Sequence, residues 1–239
     1  GKDSQGKDIP PDPARKDALE KAEDLAEEQG IDYIFATDPD SDRMGLEMRM
    51  PDKSWKLLGA NEAWPLLLYY RLKRLKETDR LPQKGYVIKS WVTSDMIRDV
   101  ARRFGLEVID TGIGFNKIAL EGLRIVAATR GIEAGEGTEE EIWVNKLLEE
   151  NDLREVLREL SGLLFGCFEE SNGFSLGGWT LEKDGILAAL LMAEIIADAH
   201  RQGKSLSGLL DEMYLDLGYY YATSNIPIDL DYLPGANGK

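Results

Sequence analysis

Cysteine is scarce in this sequence, and basic residues are outnumbered by acidic ones. One cysteine, Cys167, stands among 239 residues, so no disulfide can form within the chain. This fits a reducing compartment, and we expect a cytoplasmic protein. Lysine and arginine total 29 against 44 aspartates and glutamates, which gives a formal net charge of -15. That charge argues against nonspecific binding to nucleic acid or to an anionic membrane. A phosphorylated ligand would need a local positive site.

Long hydrophobic runs are also missing. The longest is ILAALLMAEIIA, residues 186–197, which is too short to span a membrane and contains Glu194. The N-terminus shows no signal peptide. We therefore expect neither a membrane nor a nucleic acid as a partner.

Hydrophobic periodicity predicts an α/β fold. A chain of 239 residues is long enough for one large domain or two ordinary ones. A boundary near Leu57 to Asn61 would separate a small N-terminal piece from one full α/β domain. Strand, helix and strand over residues 86–111 form a βαβ unit, which favours parallel pairing. We expect Asn61 to cap a helix, residues 51–59 to form a turn, and one long helix to run from about 139 to 160.

Three carboxylates stand close together in the sequence DPDSDR, residues 38–43. Apolar segments of strand character lie on both sides, so we expect a tight loop between two strands. Like charges at alternate positions repel one another unless a positive group lies between them. Because Mg²⁺ and Ca²⁺ take oxygen ligands, Asp38, Asp40 and Asp42 are candidate metal ligands.

Three other interpretations of this loop deserve comparison. An EF-hand would need glycine and glutamate at its sixth and twelfth positions, where this sequence has Arg43 and Arg49. An aspartyl-phosphate phosphatase would use Asp38 as nucleophile, although Asp42 stands where such enzymes usually have Thr or Val. A solvated turn is the third interpretation, since aspartate and proline favour turns.

Four segments in chain order resemble the phosphoglucomutase/phosphomannomutase (α-D-phosphohexomutase) family. DPDSDR resembles its magnesium loop, and VTSDMIRDVARRFGLEVIDTGIGFNKIA (92–119) resembles a helix, a strand and a glycine-aromatic loop. FEESNG (168–173) is similar to its sugar-recognition loop, and EKDGILAALLMAEIIA (182–197) to the helix start that follows. The resemblance covers most of residues 11–217.

The resemblance implies roles for individual residues. Asp38, Asp40 and Asp42 would hold Mg²⁺, and Arg43 would neutralise phosphate charge near that ion. On the substrate side, the glycine-aromatic loop contributes Gly114, and the sugar loop contributes Glu169 and Ser171 for hydrogen bonds to sugar hydroxyls. Lys183 would act in catalysis by handling a proton or a phosphate charge.

Two positions depart from the family pattern. The glycine-aromatic loop usually ends in lysine, whereas this chain has Asn116 there and Lys117 one residue later. Two residues before the lysine of the later loop the family often has arginine, and this chain has Leu181. Both changes remove positive charge near the expected substrate. The resemblance therefore leaves the identity of the hexose phosphate open.

The family's reaction moves a phosphoryl group between O1 and O6 of a hexose through a phosphoserine and a hexose 1,6-bisphosphate. No serine here is followed by histidine, as the family's nucleophile loop requires, and its Arg-x-Ser-Gly-Thr phosphate clamp is absent. We expect residues 1–58 to be the C-terminal part of domain 2, 59–217 a complete α/β/α domain 3 with a mixed, partly parallel sheet, and 218–239 a strand and linker toward domain 4. Domains 1 and 4 would then be partners of this chain, which would be inactive alone. A noncatalytic or regulatory relative is the alternative.

Overall fold

The structure is a computed structural model that describes residues 8–133, 140–150, 152–176 and 180–219. The described part contains two β-sheets and eight helices. No helix in it is long and apolar enough to cross a membrane. Most of the strand and linker predicted over residues 218–239 lies outside the described residues.

The N-terminal elements are α1 (Lys16–Gln29) and an antiparallel sheet of β1 (Tyr33–Thr37), β2 (Met44–Arg49) and β3 (Trp55–Leu58), in the order β1-β2-β3. The prediction that residues 51–59 form only a turn was wrong, because β3 pairs with β2. The Met50 N–H donates to Ser54 O at 2.8 Å, which folds the chain back after a tight turn. Burial of Trp55 and Leu58 then stabilises the third strand.

The second sheet contains β4 (Tyr86–Ser90), β5 (Glu107–Thr111), β6 (Leu164–Phe168) and β7 (Phe174–Ser175) in the order β5-β4-β6-β7. Strand β4 is parallel to β5 and to β6, whereas β7 is antiparallel to β6. Helix α3 (Met96–Arg103) connects β4 to β5. The predicted βαβ unit and the mixed, partly parallel sheet are therefore confirmed.

The remaining helices are α2 (Ala60–Glu77), α4 (Phe115–Thr129), α5 (Glu140–Glu150), α6 (Leu153–Leu163), α7 (Gly185–Arg201) and α8 (Leu206–Leu217). The prediction of Asn61 as a cap was wrong. Gly59 precedes α2, and the Asn61 side chain accepts a hydrogen bond from Ser94 N at 2.8 Å. The single helix predicted over 139–160 is two helices, because Asp152 starts α6 by accepting from Arg154 N at 2.7 Å.

Two hydrophobic cores lie on opposite faces of the second sheet, which gives the expected α/β/α arrangement. One core joins β2 to α2, α7 and α8 through residues that include Met44, Trp64 and Met192. The other contains Ile88 and residues of α4, α5 and α6, together with Cys167, which is buried as expected. The first core is continuous across the boundary predicted near residues 57–61. That domain boundary stays a prediction.

Candidate functional site

The three aspartates converge in the loop between β1 and β2. Thr37 and Met44 form the last pair of the hairpin, so residues 38–43 make a short connection. One carboxylate oxygen from each of Asp38, Asp40 and Asp42 lies within 4.8 Å of the other two. Three carboxylates at this separation are a donor set suited to a hard divalent cation.

The three carboxylates differ in the hydrogen bonds and ion pairs that they form within the protein. Asp38 is buried and accepts hydrogen bonds from Arg43 N at 3.1 Å and from Arg43 Nε at 2.7 Å. Burial acts to raise the pKa of Asp38, but the bonds from Arg43 outweigh it and lower the pKa to about 2. Asp42 pairs with Lys183 at 2.7 Å. Asp40 is exposed and has no hydrogen bond or ion pair within the described residues, so its oxygens remain available to a cation.

Arg43 is more fully engaged than the sequence indicated. Besides Asp38, its guanidinium contacts Asp12 through Nη1 at 3.1 Å. The sequence reasoning missed Asp12, which lies in a short polar segment without a recognisable motif. Asp42 lies 3.9 Å from Arg43 Nε as well, so three carboxylates share Arg43 and part of its charge is already compensated before any phosphate binds.

The second group of predicted residues lies just after β6. Glu169 is buried, and its backbone is fixed by a bond from Glu169 N to Gly173 O at 3.0 Å and by one from Trp64 Nε1 to Glu169 O at 2.9 Å. Ser171 donates from Oγ to Glu169 Oε2 at 3.1 Å. Burial raises the pKa of Glu169, although the Ser171 hydroxyl and the charge of Lys183 oppose that effect.

Backbone contacts join this loop to the aspartate loop. Arg43 and Gly173 form an isolated antiparallel bridge. Beside it, Met44 N donates to Asn172 O at 3.2 Å, and Asn172 Nδ2 donates to Met44 O at 2.8 Å. Chain segments about 130 positions apart in sequence therefore share one surface.

Lys183 lies between the two loops. Its Nζ contacts Asp42, and Glu169 also attracts its charge. Burial acts to lower the pKa of Lys183, but these carboxylates raise it overall. The backbone here is tightly packed: a Cβ at Gly173 would lie 2.6 Å from Lys183 Cδ and 2.9 Å from Glu169 Oε2.

The start of α7 contacts the aspartate loop directly. Gly185 N donates to Ser41 O at 3.0 Å, and a Cβ at Gly185 would lie 2.5 Å from Arg43 O. Asp184 caps the helix by accepting from Leu187 N at 2.8 Å. These two helix N–H groups are therefore already bonded to protein oxygens and are not free to bind an anion.

Gly114 lies beside Glu169. It precedes α4 with φ of 109°, and a hydrogen bond from its backbone helps to hold down the pKa of Glu169. The two positions that depart from the family pattern, Asn116 and Leu181, line one cavity of about 430 Å³. No lysine or arginine of the described residues lines that cavity.

A larger cleft of about 720 Å³ lies beside the joined loops. Its lining includes Arg43, Ser171, residues 59–62 at the start of α2, and the apolar side chains of Val92 and Ile113. The sequence reasoning missed Glu170, which also lines the cleft. A hydrogen bond from the end of β4 holds that side chain, since Ser90 Oγ donates to Glu170 Oε2 at 2.6 Å.

All eight residues singled out in the sequence have thus been located. Asp38, Asp40, Asp42, Arg43, Glu169, Ser171 and Lys183 lie on two adjoining loops and the start of α7, and Gly114 approaches them from α4. This arrangement presents oxygen ligands for a cation, a buried carboxylate with a hydroxyl beside it, and two cationic side chains.

Comparison with known proteins assigns the family. The sequence profile described as "Phosphoglucomutase/phosphomannomutase, alpha/beta/alpha domain III" matches residues 66–138 and 143–216. The chain therefore belongs to the phosphoglucomutase/phosphomannomutase family, as the four segments had indicated.

Two curated relatives illustrate the similarity. The "Probable phosphoribomutase" of Schizosaccharomyces pombe is 25% identical over 224 residues, covering 91% of this chain and 32% of the relative. The phosphomannomutase of Mycoplasma pneumoniae is 27% identical over 211 residues, covering 87% of this chain and 32% of the relative. The chain spans about a third of the length of these relatives.

Solved structures support the fold. A crystal structure from Thermus thermophilus aligns with a TM-score of 0.60 at 21% identity, covering 89% of this chain and 37% of that one. A phosphoglucomutase/phosphomannomutase family protein from Burkholderia thailandensis aligns with a TM-score of 0.54 at 16% identity, covering 90% and 35%. At these identities the likeness concerns the fold alone.

Proposed function

We propose that this chain supplies the metal loop and the sugar-binding loop of a phosphohexomutase. The parent protein would move a phosphoryl group between O1 and O6 of a hexose phosphate, through a phosphoserine and a hexose 1,6-bisphosphate. The observation that carries the proposal is the bridge between Arg43 and Gly173, which brings both loops to one cleft. The names of the relatives, which include phosphomannomutase and phosphoglucomutase, support the reaction class.

In this proposal Asp38, Asp40 and Asp42 hold Mg²⁺. The donor set fits because three carboxylate oxygens converge and Asp40 is unengaged in the described structure. When bound, the ion would supply positive charge next to a phosphoryl group. Arg43 adds to that charge while it orients Asp38 through two hydrogen bonds.

Glu169 and Ser171 bind sugar hydroxyls in the proposal, with Gly114 beside them. A carboxylate can accept from one hydroxyl while the serine donates to the next, which suits neighbouring hydroxyls of a sugar ring. Ser171 is exposed and is tied only to Glu169 by a hydrogen bond in the described structure, so a sugar hydroxyl can enter between the two. Their task is to orient the substrate for in-line transfer.

In the proposal Lys183 neutralises the negative charge of the substrate phosphate. Its ammonium group has three donors, and in this chain one of them reaches Asp42. The side chain lies between Asp42 of the metal loop and Glu169 of the sugar loop. A substrate phosphate bound to Lys183 would therefore lie between the metal ion and the sugar. Lys183 and Arg43 are the proposed catalytic residues.

The proposal also assigns the parts of the chain. Residues 1–58 are the end of domain 2, residues 59–217 are domain 3, and residues 218–239 lead toward domain 4. The serine nucleophile and the phosphate clamp belong to domains 1 and 4, which act as partners in a cytoplasmic enzyme. The chain alone is inactive because neither motif occurs in its sequence.

One observation favours the alternative of a noncatalytic relative. Asn116 and Leu181 line a cavity in which no described residue is a lysine or an arginine. The described lining therefore lacks the positive charge that would bind a phosphate. The aspartyl-phosphatase interpretation is disfavoured, because both oxygens of Asp38 already accept from Arg43 and the side chain is buried.

A coupled assay with glucose 1-phosphate and mannose 1-phosphate tests the proposal on this chain and on its full-length parent. The parent should turn over one of these sugars in the presence of Mg²⁺, and the chain alone should not exceed a blank. In the parent, Glu169→Ala should reduce the rate by roughly ten- to a hundredfold, the cost of one charged hydrogen bond. Glu149→Ala, at an exposed position of α5, serves as the control.

The outcomes separate the alternatives. Turnover by the isolated chain would show that a nucleophile in another part of the protein is not needed. A full-length parent that binds hexose phosphate without turning it over would establish the noncatalytic relative instead. Kinetics of the Glu169→Ala parent within twofold of the original would show that Glu169 is not a sugar ligand.

A further inference from the structure

A separate cavity of about 280 Å³ lies between the C-terminal half of α2 and the middle of α7. It shares no lining residue with the cleft. On α2 the cleft is lined up to Glu62, whereas Arg71 lies nine residues further along the helix, or about 13.5 Å at a rise of about 1.5 Å per residue. The cavity adjoins the start of β6 at Phe165, whereas the cleft lies beyond the end of that strand.

Arg71 is the most informative residue of this cavity. Its guanidinium is largely buried, donates from Nη1 to Phe165 O at 2.6 Å and lies 5.4 Å from the centre of the Phe165 ring. Within the described residues no carboxylate pairs with it. Burial without a neighbouring opposite charge lowers the pKa of Arg71 to about 10. A buried cation is costly unless an anion accompanies it.

The contact with Phe165 explains only part of this arrangement. The pairing of β4 with β6 shifts register at Tyr86 and Val87 and skips Phe165, so Arg71 satisfies a carbonyl that the shift leaves out. One such bond uses one of the five N–H donors of a guanidinium. It accounts neither for the adjoining cavity nor for the further arginines that line it.

Two more guanidinium groups reach the cavity. Arg74 is paired with Glu77 at 2.7 Å, whereas exposed Arg80 has no ion pair among the described residues. Glu194 is the one acidic residue in the described lining, and it is exposed and forms no ion pair there. Glu77 neutralises Arg74, which leaves two positive charges, on Arg71 and Arg80, and one negative charge, on Glu194. The net charge of the described lining is therefore +1. This positive cavity lies in a protein with a formal net charge of -15.

The rest of the lining is mostly apolar, with the hydroxyl groups of Tyr70 and Thr78 as its polar members. Leu67 and Ile195 are almost fully buried at 1% and 2% exposure, and Leu191 also lines the cavity. A volume of about 280 Å³ is at the small end of the range for ligand pockets, which fits a metabolite and not a large cofactor. Cationic and apolar walls together favour a ligand with an anionic head and an apolar body.

We propose that this cavity binds a small organic oxyanion, whose phosphate or carboxylate meets Arg71 and Arg80 and whose apolar part covers Leu67, Leu191 and Ile195. Arg71 provides a planar fork of donors, which suits the two oxygens of either head group. The site is independent of the proposed sugar cleft and holds no residue of it.

Calorimetric titration of this chain with phenyl phosphate and benzoate tests the inference, with inorganic phosphate and benzyl alcohol as probes that lack one half of the ligand. The two complete probes should bind more tightly than either half, and added NaCl should weaken them. The preferred head group is the tighter of the two. Equal affinity for phenyl phosphate and inorganic phosphate would overturn the role of the apolar wall.

Two variants locate the binding site without touching Arg71. Arg80→Ala removes one cation, and Leu191→Trp fills the cavity; each should weaken the preferred probe about tenfold. Arg102→Ala, at an exposed position of α3, and Lys183→Met, beside Asp42 in the proposed substrate site, should leave its affinity unchanged. A thermal unfolding transition for each variant verifies that it is folded.

The controls also distinguish this inference from the proposed function. If Lys183→Met abolishes binding while Arg80→Ala and Leu191→Trp do not, the probe occupies the proposed substrate site beside Lys183, and the inference falls while the proposed function stands. Wild-type affinity in folded Arg80→Ala and Leu191→Trp also overturns it, whichever result Lys183→Met gives.

Discussion

The ammonium nitrogen of Lys183 lies 2.7 Å from Oδ2 of Asp42, so the residue before Asp184 and α7 is tied to the loop between β1 and β2. Glu169, on the loop after β6, attracts the same lysine. One cation thus neutralises carboxylates from two loops that the sequence places far apart. In the proposed function it competes for Asp42 with the metal ion and becomes available as the metal binds.

Lys183→Met should therefore increase the affinity of this chain for Mg²⁺. Removal of the competing ammonium leaves Asp42 free, and a partly exposed pair of this kind contributes at most about 1 kcal/mol, or roughly a fivefold change in affinity. Titration calorimetry measures the change, and exposed Lys117→Met is the control. A weaker affinity in Lys183→Met would mean that the lysine supports the loop geometry instead of competing with the ion.

Asp40→Asn and Asp38→Asn should differ in stability although both impair Mg²⁺ binding. Asp40 is exposed and unengaged in the described structure, so its replacement should change the free energy of unfolding by less than about 0.5 kcal/mol. Asp38 is buried against Arg43, and its replacement should cost roughly 1.5–3 kcal/mol. Urea unfolding and calorimetry measure the two properties. Retention of wild-type Mg²⁺ affinity in Asp40→Asn would remove Asp40 from the ligand set.

Glu47 should make the protein more stable in mild acid than in mild base. It is fully buried on β2, and both its carboxylate oxygens lack a hydrogen-bond partner in the described structure. Burial and the charge of Glu23 raise the pKa of Glu47 from 4.5 to about 7. The folded state therefore binds more protons than the unfolded state between these values, so the free energy of unfolding falls as pH rises through them, by up to about 3 kcal/mol.

Glu47→Gln tests this origin of the pH dependence. A neutral amide at the same position has no charge to desolvate, so this variant should be more stable than wild type at pH about 8 and should gain much less at pH about 5.5. Urea unfolding at the two pH values gives the difference, with exposed Glu28→Gln as control. An equal effect of Glu47→Gln at both pH values would show that Glu47 does not titrate in this interval.

Gly173→Ala should disturb the cleft more than the fold. The added methyl group would meet Lys183 Cδ at 2.6 Å and Glu169 Oε2 at 2.9 Å, so both side chains must move. We expect Mg²⁺ affinity to change and a stability loss of about 1–3 kcal/mol, typical of overpacking. Gly162→Ala in α6 has open space around it and should be neutral or stabilising. Wild-type Mg²⁺ affinity and stability in Gly173→Ala would show that the contact relaxes without consequence.

Local sequence patterns predicted the elements that local forces determine. The strands around the aspartate loop and the βαβ unit follow from hydrophobic periodicity. Strand β3 and the break between α5 and α6 were missed. Strand β3 forms only because it pairs with β2, and that pairing is not visible in the local sequence. The break before α6 depends on Asp152 acting as a cap, although an aspartate could also lie within a charged helix.

The geometry of the site was less accessible from sequence. The resemblance identified Asp38 and Glu169 as candidates, but no local pattern joins Arg43 to Gly173. Nor could it show that Asp12 shares the guanidinium of Arg43, since that contact connects residues 31 positions apart through the fold. Such pairings depend on how packed elements meet, whereas periodicity and turn chemistry describe only neighbouring residues.

The continuous core between β2 and α2 limits how this protein can move. Met44, Leu46 and Met48 pack with Trp64 and Met192 in one apolar cluster, and the chain passes from β3 of the first sheet into α2 between Leu58 and Ala60. A hinge at that crossing would pull apart buried side chains and expose them to water. Because these contacts join the two elements in one core, we expect the aspartate loop and the sugar loop to move together. In the proposed function, an opening that admits a sugar would then come from elements outside this core.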